Sequence, residues 1–308
     1  MIPQVLEVAA RGSFLHKSLG FLEIKRQGTI VGQVDLDQFQ TLLITSPSVT
    51  LSSPLLSDLA NRHIVVILCD SHYVPNAILQ PLASHNQEGD RLQDQINMTE
   101  PMRKNYWKQI VAAKLRHQAI VLDSYQKKNV ARLHKLSSDV HSGDPDNKEA
   151  QGARLYWQSL YGEAFRRQQK GSGKNVLLNY GYTVLRSAVI RGLYSAGLNP
   201  AIGLLHSPNR NPFCLADDLM EPYRPMIDAL VYQLEGNLTP EIKAILSKSL
   251  TIDTLYKEEK VPLGKVFQNI AWDMVTSLKS KSKSLNLADM PVEVSEWTRE
   301  IITSVGTR

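Results

Sequence analysis

The stretch Asn175–Ala196, NVLLNYGYTVLRSAVIRGLYSA, decides the class of this fold. It reads as one long helix, closed by Gly197-Leu198-Asn199-Pro200 in the manner of a glycine C-cap followed by proline. Upstream, Tyr106 to about Tyr125 sets Ile110, Val111, Ala113, Leu115 and Ala119 among bases without strand punctuation, which predicts a second long helix. Between them Ser137 to Pro145 is rich in turn residues, and Asp144-Pro145 carries an N-cap and proline signature. It opens a helix with Ala150, Ala153, Trp157, Leu160, Tyr161 and Ala164 at intervals of three and four. Thr239-Pro240-Glu241 starts a further helix, and Val266–Leu278 forms another.

The first eighty residues follow another period. Phe21–Lys25 alternates, Gln27-Gly28 punctuates, Thr29–Val34 alternates again, and Leu42–Ile44 and Val49–Leu51 are short apolar runs bounded by Ser-Pro turns. Ser53-Pro54 predicts a short helix over Pro54–Arg62, leading into a buried strand over Ile64–Cys69. The expected class is therefore α+β, with a β-rich, sandwich-like domain over 1–82, a linker over 83–100 and a larger all-α domain over 101–308. Lys279–Ser284, alternating lysine and serine, reads as a mobile basic loop.

Composition excludes several classes. With 308 residues and 43% apolar content the chain can bury a core, so it is no disordered tail. Cys69 and Cys214 stand far apart and support neither a zinc spacing nor a disulfide framework, so a reducing compartment is expected. The N-terminal MIPQVLEVAAR has an acid before a base and no apolar core, and the longest purely apolar run is Ile64–Cys69; a soluble, cytoplasmic protein is the expectation. The net charge of +5 is unevenly spread: residues 1–90 carry five Lys/Arg against eight Asp/Glu. No acid lies between Glu163 and Asp217, a gap holding Arg166, Arg167, Lys170, Lys174, Arg186, Arg191 and Arg210. That asymmetry points to a polyanion partner, the alternative being solvated helix faces.

Few residues here can carry chemistry. Glu149 lies one turn inside the helix that Asp144 caps, on a face shared with Ala153, Tyr156 and Leu160. A carboxylate there reaches solvent at the helix end, pairs with a base, or binds a cation, because burying it unpaired costs several kcal/mol. His206 closes an apolar run before a turn, and Asp218 and Glu221 are three apart, on one face of a helix. One imidazole with two or three carboxylates suits Mg²⁺ or Mn²⁺ better than zinc. The alternative is a hydrogen-bonded core histidine, with Asp217 or Asp218 capping the next helix.

Gly171-Ser172-Gly173-Lys174-Asn175 resembles a phosphate loop but lacks its first glycine, its Ser/Thr and a preceding strand. The remaining histidines show no metal-ligand spacing. Tyr156, Trp157, Tyr161, Tyr180 and Tyr182 are spaced for helix packing rather than for stacking bases.

The residues Leu177–Tyr182 with Leu185-Arg186, then Gly192, Ala196–Pro200, Gly203, His206, Asp218, Glu221, Arg224 and Pro225, resemble the CRISPR-associated spacer-acquisition endonuclease/integrase family. The resemblance runs upstream through Trp107–Ile110 and Val65–Asp70, in the manner of the form that accompanies type II systems, and is least diagnostic over 240–308. It implies a β-domain used for dimerisation and a helical catalytic domain whose metal ligands fall on Glu149, His206 and Glu221, with Asp218 at an additional acidic position. It also implies a divalent-metal-dependent nuclease and integrase that acts on double-stranded DNA, using Mg²⁺ or Mn²⁺. The expected partners are a second copy of the chain and a smaller CRISPR-associated adaptation protein, together with further type II components. In that setting Arg166, Arg167, Lys170, Arg186 and Arg191 are the candidate phosphate contacts. A non-catalytic nucleic-acid-binding scaffold, its carboxylates spent on helix caps and on arginines such as Arg154 or Arg224, is the alternative.

Overall fold

The computed structural model describes residues 5–70, 75–79, 87–168, 171–205 and 211–306, and the chain divides into two units, Met1–Asn86 and Gln87–Arg308. In the first unit β1 (Val5–Val8), β2 (Ser13–Ser18), β3 (Phe21–Arg26), β4 (Thr29–Asp35), β5 (Thr41–Ile44), β6 (Thr50–Leu51), β7 (Val65–Cys69) and β8 (Pro75–Leu79) make two four-stranded sheets. Helix α1 (Ser53–Asn61) follows β6. One sheet runs β1-β5-β7-β8, parallel up to the antiparallel β7–β8 pair; the other runs β4-β3-β2-β6. Leu15 and Leu22 of one sheet, Val8, Leu42, Ile44 and Val66 of the other, and Leu55 and Leu59 of α1 share one apolar core. The fold class expected from the chain is thus the one observed.

Alternation alone did not reveal β2, whose hairpin turn to β3 is Leu19-Gly20. Both residues have positive φ, +48° and +87°, the backbone a two-residue hairpin turn requires, but Leu19 is no turn residue by composition. Helix α1 begins one residue earlier than expected, with Ser52 at the N-cap position and proline within the first turn, where a missing N–H costs nothing.

The second unit contains α2 (Glu88–Ile96), α3 (Glu100–Ser124), α4 (Val130–Ser138), α5 (Lys148–Tyr161), α6 (Lys174–Ser195), α7 (Cys214–Met220), α8 (Arg224–Gln233) and α9 (Pro240–Ser247). A hairpin of β9 (Asp253–Tyr256) and β10 (Glu259–Pro262), then α10 (Leu263–Ser280) and α11 (Val294–Gly306), complete it. Helices α3 and α6 are buried along most of their length and form its two axes. Helix α6 meets α10 so closely at Gly192 that a Cβ there would lie 2.8 Å from the Phe267 carbonyl carbon.

Three expectations change here. Within the span read as a linker, residues 88–96 are helical. Gln95 Nε2 donates to the Asn199 carbonyl (3.1 Å), its Oε1 accepts the Asn199 N–H (2.8 Å), and buried Arg91 donates to the Ala196 carbonyl. The segment reads as polar because its buried groups serve the backbone at the end of α6 rather than an apolar neighbour. The unit is also not all-α: the β9–β10 turn is made by Lys257 and Glu258 at φ +50° and +68°, without the glycine that marks such turns. Finally, the Lys279–Ser284 stretch read as a loop begins as the end of α10, and the rest is tethered, Gln109 Nε2 donating to the Lys283 carbonyl (2.8 Å) and Ser277 Oγ to that of Ser284 (2.8 Å), while its lysine side chains are exposed.

Candidate active site

Three elements of the second unit bring two carboxylates to one point. Helix α5 presents Glu149 in its first turn, where the helix dipole favours a negative charge. Asn147 is its N-cap, accepting the Ala150 N–H at 3.2 Å. Asp144, expected in that role, accepts the N–H groups of Lys148 (2.8 Å) and Glu149 (3.0 Å) from further out, so two side chains satisfy this helix end. Glu221 opens a single 3-10 turn, Glu221–Tyr223, between α7 and α8. That turn is pinned on both sides: His117 Nδ1 donates to the Pro222 carbonyl at 2.6 Å while its Nε2 accepts the Met290 N–H at 3.3 Å, and Tyr223 Oη accepts the Ala288 N–H at 2.9 Å. His117 is thus a buried structural histidine.

Between the carboxylates stands Lys114 of α3. Its Nζ lies 2.7 Å from Glu149 Oε1 and 2.6 Å from Glu221 Oε2, so those two oxygens are no more than 5.3 Å apart. Arg224 Nε reaches Glu221 Oε1 at 2.9 Å. Burial works against the charge on Lys114, but Glu221 and Glu149 outweigh it and hold its pKa above the ordinary lysine value. The same balance, with Glu221 the main partner, raises Arg224.

A cavity of about 200 Å³ adjoins the pair, lined among others by Lys114, Glu221, Arg224, Arg167, Tyr182 and Asp228. The Arg224 and Arg167 guanidiniums lie 4.6 and 5.2 Å from the Tyr182 ring centroid. Tyr182 Oη donates to Asp228 Oδ1 at 2.5 Å. Burial pushes the Asp228 carboxyl up to about 7, against the opposing pull of its tyrosine hydrogen bonds and of the two arginines.

The other expected site residues are placed as follows. His206 and Lys170 lie outside the described residues. The carboxylate of Asp218, fully buried, accepts the N–H groups of Leu204 and Leu205; Glu221 does not continue its helix, because α7 ends at Met220 and Glu221 opens the 3-10 turn. Arg166 is exposed; Arg167 donates to Asn175 Oδ1 (3.0 Å) and Asn179 Oδ1 (2.6 Å) beside the cavity. Arg186 is engaged in a two-pronged pair with Asp217, both contacts 2.6 Å. Arg191 is buried, donates to the Gly264 carbonyl at 3.0 Å, and is lowered to about 10 by burial, which leaves no face for a phosphate. Lys174 of the glycine-rich stretch donates to the carbonyls of Val231 and Tyr232 at the end of α8, a structural use of that lysine.

Among the described residues, no group of three His, Cys, Asp or Glu is placed to hold a metal ion. Glu149 and Glu221 nevertheless meet at one cation position, now taken by Lys114, and carboxylate oxygens are the donors a hard divalent ion prefers. Lys114 and Asp228 escaped the reading of the sequence. Lys114 left one trace, a lysine followed three and four positions later by His117 and Gln118 inside an apolar helix, which marks a polar strip on a buried face.

Residues 6–241 match the family described as "CRISPR associated protein Cas1". The chain is 38% identical over 251 residues to a "CRISPR-associated endonuclease Cas1" of Neisseria meningitidis serogroup C (strain 8013), covering 77% of this chain and 82% of that protein. It is 26% identical to "CRISPR-associated endonuclease Cas1 1" of Francisella tularensis subsp. novicida (strain U112), over 85% of this chain and 92% of the relative. Among solved structures it is similar to "Casposase bound to integration product", with TM-score 0.80 and 21% identity over 99% of this chain and 100% of that one. It is also similar to a "Cas6-RT-Cas1--Cas2 complex", with TM-score 0.73 and 19% identity over 92% of this chain and 36% of that one. No helix among the described residues is long and apolar enough to cross a membrane.

Proposed function

Since the chain belongs to the CRISPR-associated Cas1 family, we propose that it is a divalent-metal-dependent DNA nuclease and integrase that inserts captured DNA fragments into a CRISPR array. The observation that carries this reading is the meeting of Glu149 and Glu221 on one cation position beside a cavity bordered by arginines. Glu149 and Glu221, with His206, would hold Mg²⁺ or Mn²⁺. A bound ion of this kind supplies Lewis-acid polarisation of a phosphate and lowers the pKa of an attacking hydroxyl.

The chain's own residues do the rest. Arg224 fixes Glu221 through Oε1 and thereby turns Oε2 toward the shared position. Arg167 and Arg224, held over the Tyr182 ring, border the cavity in which a phosphodiester would lie and would offset charge that grows on its oxygens. In strand transfer the 3′-hydroxyl oxygen of the fragment bonds to phosphorus, the bond to the departing 3′-oxygen breaks, the hydroxyl proton passes to solvent and the departing oxygen takes up a proton from solvent. With water as nucleophile the same geometry performs hydrolysis. The proposed assembly is a homodimer with a Cas2-type partner, acting on double-stranded DNA in the cytoplasm.

The test is strand transfer by the protein with its Cas2-type partner, a duplex bearing 3′-hydroxyl ends, a repeat-bearing plasmid and Mn²⁺. Glu149→Gln and Glu221→Gln should each lower the product by about a hundredfold or more. Parent-like transfer by either variant overturns the assignment. Pairing of both carboxylates within the fold favours the scaffold as a second reading; a scaffold would bind the DNA and leave every phosphodiester intact in Mn²⁺.

A further inference from the structure

Lys114 is the unassigned member of the carboxylate cluster. Its ammonium touches both glutamates, its side chain is 11% exposed, and it borders the cavity that also holds Asp228. We propose that Lys114 is a positioning residue, a resident counter-cation that keeps Glu149 and Glu221 together in the metal-free protein and is displaced from between them when a divalent ion binds. The inference rests on the metal-site reading above.

Geometry argues for displacement over coexistence. A hard divalent ion coordinates carboxylate oxygens at about 2.1 Å. If it contacts the two oxygens that Lys114 contacts at 2.7 and 2.6 Å, ion and nitrogen lie less than about 4 Å apart. Like charges that close in a half-dry site repel strongly, and the ammonium is the mobile one, on a four-carbon stem. The adjoining cavity offers that stem room, with the carboxyl of Asp228 on its wall. Arg224, by contrast, grips Glu221 through its other oxygen and does not compete for the shared position.

In the metal-free state Lys114 offsets the mutual repulsion of two carboxylates drawn to one point, a service that costs metal affinity because a charge-assisted hydrogen bond to Glu149 and an ion pair to Glu221 must break first. Removing the charge while keeping the stem's volume therefore has a definite sign: the metal-free protein becomes less stable, and the ion binds more tightly.

The experiment titrates full-length parent, Lys114→Met, Lys114→Arg and Glu149→Gln with Mn²⁺, reading free Mn²⁺ by electron paramagnetic resonance. Lys114→Met should bind at least tenfold more tightly than the parent, about 1.4 kcal/mol. Lys114→Arg should stay at or below parent affinity. In the parent, Lys114 should become open to reductive methylation, followed by mass spectrometry, when saturating Mg²⁺ is added. This second measurement needs no variant to fold. Affinity in Lys114→Met equal to or below that of the parent, or Lys114 labelling indifferent to Mg²⁺, overturns the proposal provided Glu149→Gln has lost Mn²⁺ binding. If Glu149→Gln binds Mn²⁺ like the parent, it is the metal-site reading that fails.

Discussion

Asp218 accepts the backbone N–H of Leu204, fourteen positions earlier in the chain, at 2.7 Å, and the same oxygen takes the N–H of Leu205 at 3.4 Å. A buried carboxylate on α7 thus anchors the segment that runs into His206. Hydrogen bonds to a charged group contribute about 1.5–3 kcal/mol each, and a buried amide left without an acceptor loses its solvation as well. Asp218→Ala should therefore lower stability by about 2–4 kcal/mol in urea denaturation, and Asp218→Asn by about 1–2, since its amide oxygen can still accept. Mn²⁺ affinity of Asp218→Asn close to that of the parent would assign Asp218 this anchoring role; a steep loss would make it a ligand.

Asp228 sets a pH dependence. Its carboxyl, ordinarily near 3.8, is raised by burial to about 7, so the folded state binds a proton that the unfolded state has released. Stability from this group falls as pH rises from about 4 to about 7, by about 1.4 kcal/mol per pH unit at most, and levels off above. Asp228→Asn should remove that slope. Urea midpoints at pH 5, 6, 7 and 8 measure it, and parallel profiles for parent and variant would refute the shift.

Gly192 is required by close approach, not by φ. Alanine is normally the better helix former by about 1 kcal/mol. Here its Cβ would meet the Phe267 carbonyl carbon and oxygen at 2.8 Å, and backbone in α10 cannot rotate aside as a side chain can. Overpacking of this kind costs about 1–3 kcal/mol beyond the gain in propensity, so Gly192→Ala should lower the thermal midpoint in calorimetry.

The basic residues separate into two kinds. Arg166 is exposed, with its Nη1 donating to the Glu163 and Phe165 carbonyls at the surface, whereas Arg191 is buried against the Gly264 carbonyl. In fluorescence-polarisation titrations on duplex DNA, Arg166→Ala should reduce the slope of log affinity against log salt by about one. Arg191→Ala should leave the slope unchanged and lower the thermal midpoint. The reverse pattern would mean that the surface has been misidentified.

The α+β division and most of the long helices were legible because each rests on local features: alternation over Phe21–Lys25, the Gly197–Pro200 stop after α6, and proline near the start of α1 and α9. What stayed hidden uses residues against their usual chemistry. Leu19 and Lys257 turn hairpins with positive φ, and Arg91 and Gln95 turn inward to bond backbone. Within the site, Glu149 and Glu221 could be named as candidates from helix position and spacing. Lys114 could not, since nothing in a run of apolar helix says that its lysine will find two glutamates from 35 and more than a hundred residues further along.

Local order along the chain was enough to settle where helices and strands lie and that acidic side chains occur at their ends. Whether those acids met each other, met a base or met backbone was settled only by packing. Asp217 went to Arg186, Asp218 to the amides before His206, and Glu221 to Lys114 and Arg224, although the three stand within five residues of one another. The reason is physical: a buried charge takes whichever partner the fold brings within about 3 Å, and that distance is a property of three dimensions, to which spacing along one dimension is only a guide.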